Sequence, residues 1–391
     1  MFFVRREINM LGKSKILLIS LCILLAVSLC SCKNGAKQAD TKSPDGVSDS
    51  IDVTEDKNGD SDGKNQENNT DGGKNSQEEI KAPEFLNPIS GLECTKEVYE
   101  NRPVAVMLNN IKQAMPQVGI SHADIIYEVL EEGGITRLMG VFKDYKDIAE
   151  LGSIRSSRDY YIDLSDAHDA IYVHCGGSTY AKAMLKERKT EDIDGLYVNN
   201  FYRSKSRART MAYEHTLMIS GEGLAGAIAD KDYRTTSDKA QPLSFSKDYK
   251  KGESDAANIK IPFSLALSSN PYALSTFTFD KDKNAYLKGQ YDTTHIDGET
   301  GEQLCFDNVI TLECKQNVIP GDAYHCLAVN FTGEGKGLYA ADGKIREITW
   351  KKASRTEKYT LYESDGKTEL VLKPGKTYIG IVPTGTEVSY S

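Results

Sequence analysis

The residues of this chain that could carry chemistry fall into three short groups, each beside glycine. Asp124, Glu128 and Glu131 lead into Gly133-Gly134-Ile135-Thr136-Arg137, Arg155-Ser156-Ser157-Arg158 form the second group, and His174-Cys175-Gly176-Gly177-Ser178 form the third. The planar fork of arginine suits bidentate capture of carboxylate or phosphate. Backbone amides at a Gly-Gly helix start add further donors for an anion. Arg137, Arg155, Arg158, His174, Gly177 and Ser178 therefore describe a ligand-binding cleft, on condition that strand ends bring the groups together. A plainer arrangement uses the same charges: Glu128, Glu131, Arg137, Arg155 and Arg158 can simply pair as salt bridges. A catalytic set can be drawn from Asp124, Glu128, Glu131 and His215, yet no spacing positions a nucleophile against a base. His168 with His174, or His295 with Asp297 and Glu299, has the composition of a metal site without the spacing that an ion demands.

Known catalytic motifs add little. From Pro83 onward the chain has no GxSxG elbow, HExxH helix, phosphate-cradling P-loop or EF-hand loop. Gly221-Glu222-Gly223-Leu224-Ala225-Gly226 satisfies GxGxxG after an apolar run. Glu222 would set an anion beside the pyrophosphate, and no acid-terminated strand follows, so tight packing or chance explains these glycines better than a dinucleotide.

The elements that must position the three groups alternate. Val104 to Leu108, Leu138 to Phe142 and Ala170 to Cys175 are short, continuous apolar runs bounded by Pro, Gly or Asp, as buried strands are. Ser178 is placed to cap a helix through Arg188, and a second helix is expected from about Gly223 to Lys231. Interleaving of this kind predicts an α/β or α+β N-terminal domain over 83–246. A polar stretch at 247–259 reads as a linker. Beyond it, at 260–391, Asp342-Gly343, Asp365-Gly366 and Pro374-Gly375 punctuate strand-like runs, which predicts a mainly antiparallel β C-terminal domain, a sandwich or small barrel. The five cysteines of this folded part, Cys94, Cys175, Cys305, Cys314 and Cys326, are odd in number and irregular in spacing. They are no disulfide framework, although one bridge among the last three is conceivable.

The whole chain of 391 residues is 27% charged, 39% hydrophobic and carries a formal charge of −9. That composition is too polar for a transporter and too acidic for a protein whose main partner is nucleic acid. Its start is an address. Arg5, Arg6, Lys13 and Lys15 precede a largely apolar run from Ile16 to Leu29 that stops at Cys30-Ser31-Cys32. The run falls short of the ~20 residues of a spanning helix, so residues 1–31 read as a secretory signal peptide. Leu29-Cys30-Ser31-Cys32 resembles a bacterial lipobox, which makes Cys32 the expected site of a diacylglyceryl anchor. From Lys33 to Ala82 there are seven basic and twelve acidic residues and no aromatic. Such a stretch cannot bury enough apolar surface to fold and reads as a spacer.

Longer motif strings carry a resemblance. Arg102-Pro103-Val104-Ala105-Val106-Met107, Ser121-His122-Ala123-Asp124, Glu131-Glu132-Gly133-Gly134-Ile135-Thr136-Arg137, Gly152-Ser153-Ile154-Arg155-Ser156-Ser157-Arg158 and His174-Cys175-Gly176-Gly177-Ser178 are similar to those of the YerB-like lipoproteins. In the second half, Thr294-His295-Ile296-Asp297, Asn308-Val309-Ile310, Asp342-Gly343-Lys344 and Leu372-Lys373-Pro374-Gly375 resemble that family's C-terminal domain. Glu214 and Ile154 stand where family members often have proline. The resemblance implies a lipid-anchored bacterial surface protein with two domains of uncharacterised function. A looser likeness, in the order of Asp124, Arg155 and Arg158, is to the LytR–CpsA–Psr phosphotransferases. It implies arginines on a diphosphate and Asp124 helping to hold Mg²⁺.

Two functions follow as expectations. The first is a lipoprotein on the outer face of the cell membrane that binds an anionic envelope ligand, or a protein partner, through an Arg-rich cleft. The alternative is a phosphotransferase acting on a polyprenyl-linked glycan with Mg²⁺. Either requires Asp124, Arg137, Arg155, Arg158 and His174 to meet in one cleft.

Overall fold

The computed structural model describes residues 83–264 and 273–391. The signal segment, Cys32 and the spacer lie outside them. Three runs of the first half fold as strands buried at every position: β1 (Val104–Leu108), β2 (Ile125–Leu130) and β3 (Thr136–Phe142). β4 (Ile171–His174) and β5 (Asp192–Asp194) follow, each laid parallel to the strand before it in the sheet. Strands covered on both faces read as continuous apolar runs, which is why they were visible in the sequence. Three helices flank them: α1 (Asp159–Ala167), α2 (Thr179–Arg188) and α3 (Gly221–Asp230).

After Asp230 the described residues contain no helix. β6 (Asn258–Pro262), β7 (Leu274–Asp280) and β8 (Ala285–Gln290) form the centre of a six-stranded antiparallel sheet. β9 (Asn308–Val318), β10 (Gly333–Ala341), β11 (Lys344–Lys352), β12 (Tyr359–Glu363) and β13 (Thr377–Pro383) belong to a twelve-stranded sheet shared with the first half. The N-terminal domain is thus a mixed sheet with few helices and the C-terminal domain is mainly antiparallel, as expected.

The turns follow their chemistry. β10 and β11 are joined by Asp342 and Gly343 at φ 51° and 72°, the two positive angles of a type I′ turn. At Asp365-Gly366 only the glycine is left-handed, and the Asp365 carboxylate instead accepts from the amides of Lys367 and Thr368. The GxGxxG glycines serve packing: a Cβ on Gly221 would lie 2.1 Å from the Tyr145 carbonyl oxygen. The stretch 247–259 supplies Ser254–Asp255 to the edge of the large sheet and the first residues of β6.

The join between halves is made by the last long strand. β13 lies parallel to β2 on one side and to β9 on the other, buried at all seven positions, so one sheet runs across both. A single hydrophobic core follows it, from Ile89 to Val382. Among the described residues no helix is long and apolar enough to cross a membrane.

Candidate functional site

β3 is antiparallel to both β2 and β1, while β4 and β5 run parallel to β1. Strands β1, β2, β4 and β5 therefore all deliver their carboxyl ends to one end of the sheet, where the first residues of β3 also lie. Crevices at such ends are where open α/β sheets hold ligands. The segment from Ser153 to Arg158 is stitched across this end. Arg155 N donates to the Met107 carbonyl at 3.0 Å, Cys175 N to the Arg155 carbonyl at 3.0 Å, and Ser157 N to the Gly176 carbonyl at 2.9 Å. The second and third groups, and Glu131 and Arg137 of the first, thus reach the same rim.

Their charges partly pair. Glu131 is buried, with Nη2 of Arg137 at 2.6 Å and that of Arg158 at 3.8 Å. Burial pushes its carboxyl up, against the pull of both arginines. Arg158 grips Glu132 with Nε and Nη2 at 2.8 and 2.7 Å. Arg155 differs: it donates to the Glu214 carbonyl at 2.9 Å and has no carboxylate within ion-pair distance among the described residues. Burial and then the like charge of Arg137 weaken its hold on the proton. Three guanidinium groups and two carboxylates, Glu131 and Glu132, meet at this rim, with Arg155 the arginine that has no carboxylate partner among the described residues.

In front of it opens a cleft of about 500 Å³, lined by Glu132, Ser156, Arg158, Gly177, Ser178 and Lys182 on one side and by Tyr324 and Cys326 on the other. Local structure explains the floor. Gly176 sits at φ 68°, a conformation that glycine adopts without strain, and Asp194 takes its amide at 2.8 Å. Ser178 then caps α2, its Oγ accepting from Ala181 N at 3.1 Å. The amides of Gly177 and Thr179 have no hydrogen-bond acceptor among the described residues and belong to residues lining the cleft. A cap, two open amides, Arg158 and exposed Lys182 are what an anion requires.

Other expected residues are engaged elsewhere. Asp124 begins β2, so about 20 Å of strand separates it from Glu131. Its carboxylate accepts from Asn87 Nδ2 and Lys143 N, both at 2.9 Å, and burial pushes it up to about 6. It does not join the arginines. It lies a strand's length from the arginines, which does not fit the role of Mg²⁺ ligand beside a diphosphate that the phosphotransferase likeness implies. Glu128 points between the two halves, accepting from Thr136 at 2.7 Å, Ser275 at 2.8 Å and Tyr378 at 2.8 Å. His174 is buried, bonded to the Gly176 carbonyl at 2.8 Å and to Asp192 at 3.1 Å, so it holds the glycine loop instead of facing the cleft. His215 meets Asn109 Nδ2 at 3.0 Å, and burial with the nearby Arg155 charge lowers its proton affinity. Of the five residues expected to meet in one cleft, the three arginines share this rim, and only Arg158 lines the cleft. The five cysteines are all free.

Two features escaped the sequence. Lys182, Tyr324 and Cys326 complete the cleft, the last two from the far half of the chain. Lys288 is fully buried, 3.4 Å from Glu128, and donates to Ser275 and Gln290 at 2.9 and 3.0 Å. The signal was parity: Tyr286, Lys288 and Gln290 share the inward face of β8.

Comparison with known proteins agrees with this architecture. The N-terminal domain of a protein of unknown function (DUF3048) matches residues 89–234, and the corresponding C-terminal domain matches 263–379. A protein named "Putative lipoprotein YerB" from Bacillus subtilis (strain 168) is 31% identical over 298 residues, which cover 76% of this chain and 86% of that protein. A crystal structure of the YerB protein from Bacillus subtilis superposes with a TM-score of 0.67 at 28% identity, covering 78% of this chain and 99% of that one. With both domain models matched in order and the relative spanned almost end to end, the chain belongs to the YerB-like family of paired N- and C-terminal DUF3048 domains.

Proposed function

We propose that this protein is a surface-anchored binding protein that holds an anionic group, phosphate or carboxylate, in the cleft at the start of α2. The observation that carries the reading is the pair of unused amides at Gly177 and Thr179, set in one cleft with Arg158 and Lys182. Backbone donors at a helix start and a nearby cation act together on a negative charge. Arg137 and Arg155 stand behind and raise the local positive potential. A phosphotransferase would need Asp124 in the same place, and Asp124 stands at the other end of β2.

Titration calorimetry of the purified full-length chain in detergent tests the site, with inorganic phosphate and acetate as probes. Saturable binding is expected, falling with added salt and weakened about tenfold or more by Lys182→Glu. Failure of both anions to bind overturns the reading. The anchor belongs to the same proposal: Cys32 carries the lipid, a reading supported by the lipobox-like Leu29-Cys30-Ser31-Cys32 and by the relative's name. Radiolabelled palmitate should mark the chain and fail to mark its Cys32→Ala form, with the label lost from the membrane fraction.

A further inference from the structure

The far wall of the cleft has a different chemistry from its floor. Tyr324, which lines it, is 78% exposed, and Tyr180, one residue beyond Thr179, is 38% exposed. An exposed tyrosine offers an apolar ring face with a polar tip, and at the wall of a cleft that face is open to a ligand. Asp322 accepts from the backbone amides of Tyr324 and Cys326 at 2.9 and 3.0 Å and from the Tyr180 hydroxyl at 3.1 Å, so one carboxylate ties the Tyr180 side chain to the backbone that carries Tyr324. Ser156, Ser178 and Thr179, three hydroxyl-bearing residues, line the same cleft, with the Ser178 Oγ also accepting from the Ala181 amide.

We infer that the anion held here is carried on a sugar ring, with Tyr324 as the platform for the ring's C–H face and the serine and threonine hydroxyls meeting its hydroxyl groups. The inference rests on the anion reading above and narrows it to a phosphorylated or acidic saccharide. An aromatic face attracts the weakly positive C–H edge of a pyranose, while hydroxyl-bearing side chains satisfy groups that an apolar wall would strand. A flat base would need a second ring inside the cleft to be enclosed, and among the residues that line it Tyr324 is the one aromatic, the others including Ser156, Arg158 and Lys182. The site is also made by both halves, since Tyr324 and Cys326 come from the C-terminal domain while the cationic floor comes from the N-terminal one. Neither domain alone contains it.

The test uses the full-length chain with four probes: inorganic phosphate, glucose 6-phosphate, glucose and adenosine 5′-monophosphate. Glucose 6-phosphate should bind about tenfold tighter than inorganic phosphate, the gain expected of one aromatic contact. Tyr324→Ala should remove that gain and leave inorganic phosphate unchanged, and because Tyr324 is exposed the variant keeps its fold. Lys182→Ala should weaken both phosphates. If inorganic phosphate binds and the sugar phosphate is no tighter, the saccharide inference is wrong and the anion reading stands. Adenosine monophosphate binding as tightly as glucose 6-phosphate would also overturn the inference. If no phosphate binds at all, the anion reading fails with it.

Discussion

At the scale of single residues, the decisive distinction is between charges that complete the fold and charges left for a ligand. Glu128 and Lys288 belong to the first kind: both are fully buried, 3.4 Å apart, in a shell of Ser275, Tyr378, Thr136 and Gln290. Removing one partner of such a pair strands the other, and Lys288→Met should cost about 3–5 kcal/mol in urea denaturation. The double variant Lys288→Met, Glu128→Gln should recover much of that loss, because no charge is then left in the core. Asp124 gives a second residue-level prediction. Its folded pKa of about 6 lies above the ordinary 3.8, so between these values the folded state binds more protons than the unfolded one. This group therefore makes stability fall as pH rises from about 4 to 6, and Asp124→Asn should flatten that part of the stability profile. Little of this was legible in the sequence. A lysine within a strand reads as solvent-facing until the parity of Tyr286 and Gln290 fixes its face, and the acids of a Glu-Glu-Gly-Gly segment do not reveal which of them is buried.

At the scale of elements the sequence is far more informative, because the signals are local. Val104–Leu108 was expected as a strand and is one; Ser178 was expected to cap a helix through Arg188 and does. Both depend on neighbours only a few residues away. The same locality makes the cap testable: Ser178→Ala should cost about 1 kcal/mol of stability by leaving the Ala181 amide without its acceptor. Where a turn depended on a longer-range partner, the sequence was less specific. Asp365-Gly366 looks like Asp342-Gly343, yet only the latter forms the two-residue hairpin, since β10 and β11 pair directly up to the turn while Tyr362 and Glu369 bridge across a wider loop. The cleft shows the same boundary of legibility. The Gly176-Gly177-Ser178 turn on its floor is made of consecutive residues and reads as a helix start; Lys182 and the far wall, Tyr324 and Cys326, were not singled out, and the far wall is brought in by packing.

At the scale of the whole molecule, the two family domains meet within one sheet. β2 pairs with β13 from Ile125 opposite Thr377 to Val129 opposite Ile381, and β13 continues the sheet into β9. The partner of a strand leaves no trace in local periodicity: Tyr378-Ile379-Gly380-Ile381-Val382 reads as a buried strand without saying whose. Without β13, β2 would keep its antiparallel partner β3 on one side and expose a row of unpaired amides and carbonyls on the other, beside a fully apolar face. Such an edge recruits other chains. The loss is also energetic, because Tyr378 gives Glu128 one of its donors and Ile379 and Ile381 fill the shared core. Ending the chain at Lys376 should therefore damage the half of the protein that is distant in sequence. The expected outcome is a truncated protein that aggregates or binds a hydrophobic dye, with amide exchange accelerated along β2 and β3 as well as β9. Full-length protein should instead unfold in a single transition whether followed by the sole tryptophan, Trp350 in β11, or by exchange at β1 in the opposite domain. Two separate transitions, or a truncated chain with β2 and β3 still protected, would mean that the halves fold independently and that the strand they share is an ornament of the sheet instead of its keystone.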